Sequence, residues 1–305
     1  MSDWVVYYGR TDNKGKWPYL LLGFKEWGID AKESQALSKE GDKAHFKRKD
    51  VYAVLMEFVS KSSDKRVRVW YDMGAARQPR YKPQIMKDGD LYFTIQYEKD
   101  FKKYKNVYQI NQVAYKSDIY IPLLSKLRAV KDKMQYKYDV VGLFKATSAI
   151  KQQMRLRYRA VELSLKQSWK NLVSFIPGKR SVKKEMNPHG KLPFKEYWLA
   201  QSQSKICLSM QGAGYHCFRD TEVLGIGACL LVVKSDKFPR IGNSENCYIE
   251  VKEDLSDLVD VVNYYLKHNE EREKIASNGR DYFDRYLTPK ATVGHLLKEV
   301  SGGKS

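Results

Sequence analysis

The sequence predicts an α/β protein in which strands alternate with helices, giving parallel sheets covered on both faces. Three observations predict it. β-branched and aromatic runs recur along the chain, among them Trp4–Tyr8, Val67–Tyr71 and Tyr138–Phe144. Segments with apolar residues at helical spacing lie between such runs. Residues Ala228–Val233 are apolar almost without interruption, as in a strand buried on both faces.

In chain order, Trp4–Tyr8 reads as a strand closed by Gly9 and the polar loop RTDNKGK. Tyr19–Trp27 reads as a helix. Val51–Val59 has apolar residues at 51, 54, 55, 58 and 59 and reads as an amphipathic helix. Val67–Tyr71, Leu91–Tyr97 and Val107–Ile110 read as strands. The theme restarts with a strand at Tyr138–Phe144 and a basic helix over 149–170 carrying Arg155, Arg157 and Arg159. Leu172–Ile176 is a predicted strand, Pro177–Pro193 a basic loop, Phe194–Ser202 a helix and Lys205–Met210 a strand. A helix over about 254–268 and charged amphipathic helix over 270–299 complete the chain. The restart places a domain boundary between about 122 and 136, in the lysine-rich KLRAVKDKMQYK.

The chain has 305 residues, enough for two domains with a substantial core. Aromatic residues make up 13%, with 22 tyrosines, which excludes a disordered polymer. No apolar run approaches the roughly 20 residues of a membrane helix, and MSDWVVYYG lacks the layout of a signal peptide. The four cysteines form no CxxC pair and read as buried thiols of a reducing compartment. Charge is the strongest global signal: 55 Lys+Arg against 36 Asp+Glu, a formal +19. That excess favours a polyanionic partner such as nucleic acid, an anionic membrane or an acidic glycan, without choosing among them. The alternative is a lysine-rich, solubilising surface.

The chemistry concentrates in QGAGYHCFRDTEVLGIGACLLVV, residues 211–233. Gly212 and Gly214 allow a ligand to approach the backbone closely. A helix beginning near His216 points unpaired N–H groups at that loop and forms an anion site. Arg219 in its first turn can hold phosphate oxygens with its planar fork. Glu222, three residues on, lies on the same face and can accept from ribose hydroxyls. The competing reading is an ordinary surface ion pair. His216 could touch the same ligand or be a cap residue without a role.

This segment resembles the donor-binding half of glycosyltransferases with two Rossmann-like domains, the GT-B fold. The spacing of Glu222 and Gly227 ahead of a strand is similar to that group's ribose-binding glutamate pattern, and the resemblance runs over about residues 138–297. It looks closest to exostosin-like and group 1 enzymes, and is also similar to the DNA β-glucosyltransferase of T-even phages, where an arginine likewise precedes the glutamate by three residues. The resemblance implies a GT-B architecture with a cleft between its domains. Residues 1–130 would bind the acceptor, 131–285 the nucleotide sugar, and 286–305 would pack back on the first domain. It implies an inverting, metal-independent transferase using a UDP-sugar. YDVVGLFKATSAIKQQMRLRYR looks like the phosphate-binding element, with Lys145, Arg155 and Arg159 as candidates beside Arg219; a solvated helix face is the alternative for them.

An inverting transfer needs a base for the acceptor hydroxyl. Asp72, in VRVWYDMGAARQP, ends a predicted strand, where open α/β sheets bind ligands; a turn or cap role is the alternative, and Asp12 is the second candidate base. Arg77, Lys47, Arg48 and Lys102 are candidate acceptor contacts. The charge and the phage-like spacing favour hydroxymethylated pyrimidines in DNA as acceptor; a glycan or lipid-linked acceptor is the alternative. A non-catalytic, basic nucleic-acid-binding module is a reading of another class. A cytoplasmic monomer is expected.

Overall fold

The computed structural model describes residues 3–10, 16–44, 53–73, 87–95, 101, 103–110, 112–145, 151–177, 182–211, 216–235 and 245–302. The chain divides into two compact units, Met1–Asp118 with Lys237–Pro239 and Arg285–Ser305, and Ile119–Asp236 with Arg240–Asp284.

The first unit is built on a six-stranded sheet of β1 (Trp4–Tyr8), β2 (Asp30–Glu33), β3 (Ala53–Ser60), β4 (Arg66–Asp72), β5 (Leu91–Thr94) and β6 (Val107–Gln109), in the order β2-β1-β3-β4-β5-β6. Every neighbouring pair is parallel except those made by β3, which runs antiparallel to β1 and β4. The helix predicted over Val51–Val59 is therefore wrong: its described part is the central strand β3. Both faces of β3 are covered, so its sequence AVLMEFVS is nearly continuously apolar. Helical spacing and a doubly buried strand cannot be separated by periodicity in so short a run. The expected all-parallel sheet is corrected to a mixed one here.

Helix α1 (Trp17–Glu26) carries Pro18 near its start, where a missing N–H costs nothing. Gly23 lets α1 approach α9 (Pro289–Val300) closely, because a Cβ there would run into Pro289 and Val293. Phe24, Val293 and Leu296 close the core on that face. The other face buries Leu37 of α2 (Gln35–Ala44) with Leu55, Trp70 and Tyr92.

The second unit begins within α3 (Ser117–Asp132), so the lysine-rich segment read as a boundary is largely helical. Its sheet holds β7 (Tyr138–Lys145), β8 (Asn171–Ile176), β9 (Ser204–Ser209), β10 (Cys229–Val233) and β11 (Ile249–Val251), in the order β11-β10-β9-β7-β8. All its pairs are parallel, as expected. Helices α4 (Lys151–Leu165), α5 (Phe194–Ser202), α6 (Phe218–Ile226), α7 (Leu258–Lys267) and α8 (Asn269–Tyr282) complete the unit. Val161, Leu231, Val262 and Ile275 form the core on one face, and Val141, Leu143, Tyr197 and Ala200 on the other. Burial of these side chains, each of the larger ones contributing roughly 1.5–3 kcal/mol, is what holds the two layers of helix against the sheet.

Candidate functional site

From β7 the chain passes to β8 on one side and then crosses to β9 on the other. The order of an open parallel sheet reverses at this point, and the carboxyl ends of the two diverging strands leave a crevice there. Three segments meet at it: the end of β7 at Leu143–Lys145, the residues after β9 at Met210–Gln211, and the first turn of α6.

Cys217 caps α6. Its N–H donates to Asp220 Oδ2 at 3.1 Å, and Asp220 Oδ1 also accepts a short hydrogen bond from Ser209 Oγ on β9. This pins the helix start against the strand end. Gly227 ends the helix in the left-handed region, at φ 81°, with its N–H on Val223 and Leu224 carbonyls. Gly225 leaves room for Tyr120, whose hydroxyl donates to the Glu222 carbonyl at 2.6 Å.

Arg219 and Glu222 are 8% and 1% exposed, which rules out the surface ion pair. Arg219 Nη2 donates to the Leu143 carbonyl at 2.7 Å, and its guanidinium lies over the rings of Phe144 and Tyr197. Among the described residues its buried Nε has no hydrogen-bond partner. Desolvation opposes the charge, but Tyr197, Cys217, Glu222 and Asp220 surround it, and the net effect holds the Arg219 guanidinium above its usual value.

A second cation completes the crevice, and it is not one of the expected candidates on its helix. Arg155 and Arg159 point to solvent from α4, whereas Arg157 is 9% exposed on the sheet face. Its Nε donates to the Gln211 carbonyl at 2.7 Å and its Nη1 to the Lys145 carbonyl at 2.9 Å, tying the ends of β7 and β9 together. Burial pulls the Arg157 guanidinium below its usual value; Cys217 opposes this and Arg219 adds to it. Helical spacing was the available signal, since Gln153, Arg157, Ala160 and Val161 share the buried face. The Lys145 side chain is exposed at the end of β7, and His216 is half-buried just before α6. Gly212 and Gly214 lie outside the described residues.

In the first unit, Asp72 is at the end of β4, 3% exposed, and accepts from the Tyr92 hydroxyl at 2.8 Å. Sequence reasoning missed Lys16, at the start of α1, which is 8% exposed and donates at 2.8 Å to the carbonyl of Met73, the residue after Asp72. This too is a reversal of sheet order, between β1 and β4 on either side of β3. Asp12, Lys47, Arg48, Arg77 and Lys102 lie outside the described residues. Among the described residues no group of His, Cys, Asp and Glu could hold a metal ion.

The second unit thus places two buried guanidiniums, Arg157 and Arg219, at the reversal of a parallel sheet, with the buried Glu222 on the same helix as Arg219. The glycosyl transferase-like family model matches residues 126–298, more than half of the chain, and the chain belongs to that family. Arg157, Arg219 and Glu222 fall inside the match and Asp72 outside it. No curated protein sequence matches the chain. WaaG, a glycosyltransferase involved in lipopolysaccharide biosynthesis, is similar at 15% identity and TM-score 0.46, over 72% of this chain and 64% of that one. Sucrose-phosphate synthase from Thermosynechococcus elongatus is similar at 11% identity and TM-score 0.47, over 72% and 61%. HepE from Anabaena in complex with UDP-glucose is similar at 13% identity and TM-score 0.45, over 71% and 66%. The chain spans less than two thirds of the length of each of these proteins.

Proposed function

We propose that the chain is a glycosyltransferase that takes a sugar from a nucleotide diphosphate donor held in the second unit. The observation that carries the reading is the pair of buried guanidiniums, Arg157 and Arg219, at the reversal of a sheet that lies within the family match. Glu222 would accept from the ribose hydroxyls. As the bond from the anomeric carbon to the diphosphate breaks, its electron pair stays on the phosphate oxygen. Arg219, Arg157 and the N–H groups at the start of α6 would stabilise that charge where it develops. The acceptor hydroxyl attacks the anomeric carbon and passes its proton to Asp72, giving inversion without a metal step. UDP is the first donor nucleotide to try, since HepE was solved with UDP-glucose.

For the acceptor we propose a polyanion, with hydroxymethylated pyrimidines in DNA as its most specific form. The supporting observation is charge: the chain carries 55 Lys+Arg against 36 Asp+Glu, a formal +19. A glycan or lipid-linked acceptor is the second reading, favoured by the resemblance to exostosin-like enzymes. A panel of UDP-sugars, read by UDP release with hydroxymethylcytosine DNA, plain DNA or no DNA, tests both. Release that requires the modified DNA upholds the first reading. Slow hydrolysis that ignores DNA moves the acceptor to a glycan or lipid. No dependence on a nucleotide sugar overturns the transferase reading and leaves a basic binding module.

A further inference from the structure

The four cysteines fall into two chemical classes. Cys207, Cys229 and Cys247 are at most 2% exposed. Burial pushes the Cys207 thiol up to about 12 and raises that of Cys229 as well. Such thiols are inert. Cys217 is half-buried at the start of α6, with its sulfur 3.4 Å from the Met210 carbonyl. It interacts electrostatically with both Arg157 and Arg219. Cationic neighbours and a helix N-terminus are the setting in which a thiol reacts as thiolate.

A second observation points to an anion at the same place. Arg157 and Arg219 are 9% and 8% exposed and donate to the main-chain carbonyls of Gln211, Lys145 and Leu143, and among the described residues Arg219 Nε has no acceptor. Two buried guanidiniums that donate to main-chain carbonyls, with the Asp220 and Glu222 carboxylates near Arg219, carry charge suited to a carboxylate- or phosphate-bearing molecule.

We propose that Cys217 is a modification site at which a small anionic disulfide of the glutathione class switches off donor binding. The proposal rests on the donor site being in the second unit. In the step, Cys217 loses its proton to solvent and its sulfur attacks one sulfur of the disulfide. The S–S bond of the reagent breaks, a new S–S bond forms to Cys217, and the second half leaves as thiolate. The disulfide is the oxidant, and a thiol reverses the step. The carboxylates of the attached half would occupy the guanidiniums needed by the diphosphate.

The test incubates the full chain with oxidised glutathione, maps adducts by mass spectrometry and measures UDP binding by calorimetry. A single adduct at Cys217 is expected, formed more slowly when UDP is present. UDP affinity should fall by at least about tenfold and return on adding dithiothreitol. Cys217→Ser keeps a good helix cap and should show no effect of glutathione on whatever affinity it has. No adduct at Cys217, or an adduct that leaves UDP binding unchanged, overturns the proposal. If untreated protein does not bind UDP, the donor reading falls and the thiol is judged alone. An adduct that forms faster than in Arg157→Met then upholds its reactivity, and equal or absent reaction overturns it.

Discussion

The two sheets end differently at the points where their strand order reverses. In the second unit the carboxyl ends of β7 and β9 are bound together by Arg157, with Arg219 beside it, so cations are buried there on neutral carbonyls. In the first unit the end of β4 buries a carboxylate, Asp72, on the Tyr92 hydroxyl, with Lys16 on the adjoining Met73 carbonyl. Burying like charges without full pairing costs stability, and a sequence free to optimise folding alone would place apolar residues at Arg157 and Arg219. The difference teaches that the same topological position can be prepared for opposite tasks. In the proposed reaction the end in the second unit would hold the leaving diphosphate and the end in the first unit would accept the proton of the acceptor hydroxyl.

The comparison breaks most sharply at Asp72. Asp72→Asn removes the proposed proton acceptor and should lower turnover on the order of 10² to 10⁴-fold while UDP binding by calorimetry stays unchanged; undiminished turnover would remove Asp72 as the base. Arg157→Met should weaken UDP by roughly tenfold to a hundredfold, as for loss of a charge-assisted hydrogen bond. Its melting temperature should hold or rise, because a desolvated charge is removed; a large fall in stability without loss of UDP affinity would make Arg157 a structural strap. Gly225→Ala places a methyl group against Tyr120 and Phe283 and should destabilise the second unit by about 1–3 kcal/mol, read in urea unfolding. The smallest effect lies in the first unit, away from both ends. Hydrogen bonds from Arg68 hold the Glu40 carboxyl down at about 2. A lowered carboxyl contributes stability above its unfolded value and loses it as pH falls through the folded one. Wild type should therefore lose stability between about pH 4.5 and 2, and Glu40→Gln should lose less over that window.

Much of the second unit was legible because its strands are largely buried, whereas its helix bounds were not: the helix read over 149–170 is α4 at Lys151–Leu165, and the helical run read over 270–299 divides into α8 and α9. YDVVGLF, SKICLS and CLLVV could be read directly, and Arg219 and Glu222 stood out between a glycine loop and an apolar strand. The first unit was less legible. β3 looked helical because Val54, Leu55 and Phe58 fall at helical spacing by chance in a run with a single charged residue. β2, with the sequence DAKE, is a short exposed edge strand and carries no apolar signal. In α4 three arginines alternate with other residues, and composition alone cannot say which one faces the sheet. The phase set by Gln153, Ala160 and Val161 selects Arg157 over Arg155 and Arg159.

The central claim is that the crevice of the second unit holds the diphosphate of a nucleotide sugar. UDP titrated by calorimetry into wild type, Arg219→Met and Glu222→Gln tests it most directly. The account predicts a single site in the wild type, with affinity reduced by about tenfold or more in each variant. UDP bound equally by all three proteins would contradict it and move the donor away from the start of α6.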